Sequence, residues 1–149
     1  MQLAIHQAEL AAENGEIPVG AVLVLNGTLL ASAGNSPIST NDPTAHAEIL
    51  ALREAAKKIN NYRLVDSTMY VTLEPCPMCT GALIHARVAR IVYGTEDPKT
   101  GALTSVYQIG ADGKLNHGFE ITGGIEKERC AELLKRFFSS RRKKGEKTS

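Results

Sequence analysis

Long apolar runs are missing from this 149-residue chain. No stretch approaches the roughly 20 apolar residues that cross a bilayer, which excludes a membrane-spanning helix. Cysteine is scarce, at three residues. Two of the three sit at a spacing that wants them as thiolates, and this argues for a reducing compartment, with the cytoplasm as the expected location. The residues after Met1 are charged and polar and show no secretory-leader pattern. No internal repeat or inter-domain linker interrupts the chain, so one domain over residues 1–149 is expected, long enough to bury a sizeable core.

Charge is nearly balanced at +1 and unevenly spread. From Lys135 onward seven basic residues stand against Glu146 alone, so that segment carries +6 and the remainder −5. A basic tail from about residue 141, on an otherwise acidic body, suits a polyanion partner, nucleic acid first. A solvated, frayed tail is the competing reading.

Two short segments carry the chemistry, His46-Ala47-Glu48 and Pro75-Cys76-Pro77-Met78-Cys79. A catalytic zinc takes three protein ligands and keeps one position open, and His46, Cys76 and Cys79 supply that count. Zinc lowers the pKa of a bound water to roughly 7, which gives a nucleophile where free hydroxide is scarce. Two thiolates cancel the charge of the ion. Glu48 is left over as a carboxylate to move a proton from the water to the base and on to a departing amine. The set is the H-x-E…P-C-x-x-C signature of zinc nucleobase deaminases.

The same pieces occur elsewhere. C-x-x-C also builds structural zinc sites and redox pairs, although here Pro77 follows the first Cys and no partner motif supports a redox role. A closed structural site would need a fourth ligand, for which His85 and His117 are the candidates. Cys130 falls within an amphipathic C-terminal stretch and reads as a core thiol.

Residues two apart in mid-helix point about 200° away from each other, so His46 and Glu48 can share a site only at a helix start. Asp42 as N-cap with Pro43 at the first helical position would put them there. That helix is expected over 43–59. Before it, 3–13 reads as a helix with Leu3, Ala4, Gln7, Ala8 and Ala11 on recurring faces, and 19–25 and 28–33 as strands around an Asn26-Gly27 hairpin turn. After it come a strand at 68–73, the cysteine helix to about His85, a strand at 90–94 and a parallel crossover between the two strands. Residues 95–118 read as loop with room for one short helix. A weak strand at 119–122 and a helix from 125 to about 140 complete the chain.

The runs Asp42–Glu48, Tyr70–Cys79, Ile91–Gly94 and Asp97–Gly101, with Asn116-His117 and Phe137-Phe138, closely resemble the bacterial tRNA-specific adenosine deaminases over nearly the whole length. The resemblance implies an α/β fold, the three-layer α/β/α cytidine-deaminase-like arrangement with a central mixed five-stranded sheet. It implies a homodimer with one Zn²⁺ per subunit and conversion of adenosine to inosine at the wobble position of a tRNA anticodon, in an arginine tRNA. His46, Cys76 and Cys79 become the zinc ligands and Glu48 the proton shuttle. Asn35 would hydrogen-bond the target base, Ala47 would offer its backbone N–H to the attacking oxygen or the base, and Ile17, Pro18 and Val19 would wall the pocket. Asp97, Lys99 and Thr100 fall on the loop that meets anticodon nucleotides. Phe137 and Phe138 before Arg141 and Arg142 could combine stacking with phosphate contacts, and helix packing is expected for at least one Phe. Many members carry extra residues ahead of the position of Met1, so a shorter first turn of the N-terminal helix is expected here, Pro77 is common in related guanine deaminases, and Leu103 replaces a small residue. A free-base or nucleoside deaminase, such as a guanine deaminase, shares the four chemical residues, and a non-catalytic RNA-binding subunit would be expected to lack Glu48.

Overall fold

In the computed structural model, which describes the backbone of residues 1–148 and the side chains of 1–145, Asn26 and Gly27 both take left-handed φ values, 51° and 73°. A two-residue type I′ turn requires that pair, and it folds β1 (Gly20–Leu25) back on β2 (Thr28–Gly34). β1 then pairs antiparallel with β3 (Ser67–Leu73), and β3 pairs parallel with β4 (Arg90–Thr95), which pairs parallel with the short β5 (Glu120–Thr122). The result is the expected mixed five-stranded sheet, and its strand order is β2-β1-β3-β4-β5.

Helices cover both faces. Alternate residues Ala21 and Leu23 of β1, Met69 and Val71 of β3, and Ile91 and Tyr93 of β4 point into one core. Ala47, Ala51, Leu52 and Ala55 of α3 (Ala47–Ile59) and Leu83 of α4 (Pro77–His85) close over them. The other face receives α1 (Gln2–Glu13) against β1, β2 and β3, and α5 (Lys127–Thr148) against β4. Close approach of α1 depends on Gly20, whose missing Cβ would lie 1.9 Å from the Ala4 carbonyl oxygen and 2.6 Å from the Ala8 nitrogen.

Three expectations about elements need correction, while the loop reading of 95–118 stands except at Thr95, which ends β4. Leu3 stays 54% exposed, and Ile5 with Ala4, Ala8 and Ala11 forms the buried stripe of α1. Asp42 does not cap α3: its carboxylate accepts the N–H and hydroxyl of Thr44 in a local turn, and residues Pro37–Thr40 form a separate short helix, α2. Residues 96–118 make turns, with no helix among the described residues. The basic segment from 141 continues α5 to Thr148 and is not a frayed tail.

Candidate metal and catalytic site

Both helices that bear the motif start at a motif residue. His46 and Cys76 are the N-caps of α3 and α4, each in extended conformation (ψ 151° and 173°), with its carbonyl accepting the first helical N–H, from Leu50 at 3.1 Å and Thr80 at 2.9 Å. Pro77 fills the first helical position, where a missing N–H costs nothing. Cys79 follows within the same turn, and Glu48 lies in the first turn of α3. His46 and Glu48 therefore meet at a helix start as required, through a cap four residues later than Asp42.

The three donors converge. His46 Nδ1 lies 3.6 Å from Cys76 Sγ and 3.4 Å from Cys79 Sγ, and all three donor atoms fall within 4.8 Å of one another, a group that could hold a metal ion. Hydrogen bonding from Cys79, against the opposing effect of burial and with further help from His46, holds the Cys76 thiol down to about 4. The hydrogen bond to Cys76, together with burial, pushes the Cys79 thiol far up. The hydrogen bond to Cys76 raises His46 above its ordinary value. Glu48 is 4% exposed, and burial raises its carboxyl. His85 and His117 take no part: His85 lies at the far end of α4, and His117 Nε2 bonds the Val88 carbonyl at 2.8 Å.

These groups open into a cavity of about 170 Å³ lined by Ile17, Val19, Asn35, His46, Glu48, Leu73, Glu74, Cys76, Asp97 and Thr100. A second depression of about 340 Å³ shares Ile17, Leu73, Asp97 and Thr100 with it and adds Lys99, Leu134 and Phe138. A larger one, about 620 Å³ along the outer face of α5, is remote from any donor set and is lined by that helix alone.

A family model for MafB19-like deaminases matches residues 1–142. The chain is 51% identical to the tRNA-specific adenosine deaminase of Haemophilus influenzae over 95% of its own length and 83% of the relative's. The chain belongs to the tRNA-specific adenosine deaminase family. A solved structure from a study of A-to-I editing by tRNA:A34 deaminases at the wobble position superposes with a TM-score of 0.87 at 42% identity, covering 90% of this chain and 97% of the other. A guanine deaminase from Bacillus subtilis superposes less completely, with a TM-score of 0.62 over 64% of this chain and 61% of its own, at 41% identity.

In this family member the expected site residues divide. Ile17, Val19, Asn35, Asp97 and Thr100 line the cavity. Pro18, buried between two of them, is not among the lining residues. The Ala47 N–H is not offered to a ligand, because it donates to Asn35 Oδ1 at 2.8 Å. Lys99 and the 42%-exposed Phe138 border the adjoining depression only. Phe137 packs edge-on to Phe138 and lies under the Arg141 guanidinium at 4.9 Å, and the same guanidinium donates to the Gly15 carbonyl, so Arg141 ties α5 to the end of α1. Arg142 is exposed.

Sequence reasoning missed two buried carboxylates. Glu16 accepts the N–H groups of Ile38 and Ser39, each at 3.0 Å, and fixes α2 beside Asn35. Glu74 accepts from the 97–105 loop. A signal existed, since an acidic residue directly before Pro75-Cys76 at the end of an apolar strand is out of place unless paired.

Proposed function

We propose that this deaminase uses zinc held by His46, Cys76 and Cys79 to convert adenosine to inosine at the wobble position of a tRNA anticodon. The donor spacing carries the metal assignment: Zn–S and Zn–N bonds of about 2.3 and 2.05 Å at a tetrahedral angle separate sulfur and nitrogen by about 3.6 Å, and the separations here are 3.4 and 3.6 Å. When bound, zinc supplies a nucleophile at neutral pH by acidifying water. Glu48, whose raised carboxyl can both take and give a proton, accepts one from the attacking water and returns it to the departing amine, so adenosine and water become inosine and ammonia.

Asn35 accepts the Ala47 N–H with its carbonyl oxygen, which leaves the amide NH₂ as the donor toward a base nitrogen. The cavity falls well below the ~300–1,000 Å³ of sites for larger ligands, and this supports entry of one extruded base with the rest of the nucleotide outside. An anticodon-loop base has no pairing partner to lose. The resemblance points to an arginine tRNA, and the few cysteines, two of them wanted as thiolates, support a cytoplasmic setting. A homodimer is supported by an apolar groove of about 380 Å³ between α3 and α4, lined by Ile49, Leu52, Ala56, Tyr62, Leu64 and Ala82 among others.

The test is inosine formation by the zinc-loaded protein on an anticodon stem-loop with adenosine at the wobble position, beside free adenosine, guanine and cytidine. Turnover of the stem-loop alone is expected. Turnover of a free base or nucleoside with the RNA untouched would keep the zinc chemistry and overturn the substrate.

A further inference from the structure

Glu74 lies between β3 and α4, directly before Pro75-Cys76, and is 2% exposed. A buried carboxylate persists only where hydrogen bonds replace its hydration. Here the donors come from one loop. Oε2 accepts the N–H groups of Leu103 at 3.0 Å, Thr104 at 2.8 Å and Ser105 at 3.0 Å, and Oε1 accepts the Asp97 N–H at 3.2 Å and the Ser105 hydroxyl. The Ala102 N–H adds a bond to the Pro75 carbonyl at 2.9 Å, so the loop is fastened to the very segment that carries a metal ligand. Gly101 is required by space: a Cβ there would stand 2.4 Å from Glu74 Oε1 and 2.5 Å from the Asp97 carbonyl oxygen.

The opposite side of the loop faces the cavity. Asp97 and Thr100 line it together with His46 and Glu48. The Asp97 carboxylate accepts the N–H groups of Lys99 and Thr100 and the Thr100 hydroxyl, so residues 97–100 move as one turn. Its attachment to the core at Asp97 is the bond to Glu74.

We propose that Glu74 is a positioning residue that holds the 97–105 loop as the wall of the base pocket and thereby sets how tightly the RNA around the target base docks. The proposal rests on the tRNA reading above. Glu74 also lines the cavity beside His46 and Glu48, but both its oxygens are taken by the loop, so it acts on binding through the loop and not on the chemical step.

Glu74→Gln isolates the effect. Its amide oxygen can keep the three N–H groups at the Oε2 position, while the new NH₂ opposes the Asp97 N–H and releases that end of the turn. Hydrogen exchange of the free zinc-loaded protein and steady-state kinetics on the stem-loop would be measured for wild type, Glu74→Gln and Gly101→Ala. Glu74→Gln is expected to speed exchange over 97–105 about tenfold with zinc content unchanged, and to raise KM about tenfold with kcat within about twofold. Gly101→Ala, which pushes the loop off an intact Glu74, is expected to do the same. Unmoved exchange, or a fall in kcat at unchanged KM, overturns the proposal, as does unfolding of both variants, which would make the contact purely structural. Wild type that makes no inosine would instead sink the tRNA reading, and the exchange result would still decide whether Glu74 holds the loop.

Discussion

Asn35 accepts with one end of its amide and leaves the other toward the cavity, and its proposed role depends on that division. Asn35→Asp keeps an oxygen for the Ala47 N–H and replaces the cavity-facing donor by an acceptor. The expected result is a fall in kcat/KM of about 10- to 100-fold on the stem-loop with unchanged zinc content and thermal stability. Glu48→Gln removes the proton carrier and leaves the three donors, so turnover should drop by about 10²–10⁴-fold while metal analysis still finds one zinc per chain. At this scale the group His46, Cys76, Cys79 and Glu48 was legible, because ligand count and a spare carboxylate are properties of side chains, and the structure brings the three donors together with Glu48 at the same cavity. Their partners were hidden. The Ala47 N–H, and the amides that hydrogen-bond Glu16 and Glu74, are backbone groups 12 to 31 residues away, and backbone groups leave no mark in a residue pattern.

Helix starts and ends show what competes for them. Asp42-Pro43 has the composition of a cap, yet Asp42 satisfies Thr44 locally, and α3 begins only where the His46 carbonyl can take the Leu50 N–H. The strands and the Asn26-Gly27 turn were legible because alternation and positive φ are local demands. The contact of α1 with the sheet was not, since nothing local says that Gly20 faces a helix backbone. Gly20→Ala is expected to destabilise the protein by about 3 kcal/mol or more, seen as a lower midpoint in denaturant at unchanged slope. The charge of the run Arg141–Lys144 suited a polyanion partner or a solvated tail, and in the fold Arg141 is anchored on Phe137 and Gly15 while the helix continues. If the exposed charges beyond it meet phosphates, replacing Arg142, Lys143 and Lys144 by Ala should flatten the plot of log affinity for the stem-loop against log salt by up to about 2 units of slope. An unchanged slope would assign these residues to solvation.

The molecule as a whole is fastened by buried acids. Burial works to raise the carboxyls of Glu16 and Glu74, but hydrogen bonds outweigh it and hold both below the ordinary range: to Ser39 and Ile38 for Glu16, and to Ser105, Thr104 and Asp97 for Glu74. A folded pKa below the unfolded one means that their contribution is complete above about 4.3 and is lost as pH falls through the folded value. The thermal midpoint should therefore drop below about pH 4, and the double variant Glu16→Gln, Glu74→Gln should start lower and lose less over that range.

The caps at His46 and Cys76 also bear on the order of assembly. They stand 30 positions apart on either side of β3, and Cys76 is carried by the crossover between two parallel strands, a pairing that must wait for distant parts of the chain to meet. The α1–β1–β2 unit needs no such wait. The three donors therefore meet only where α3, β3 and α4 are all in place, so the triangle belongs to the tertiary fold and neither helix holds it alone.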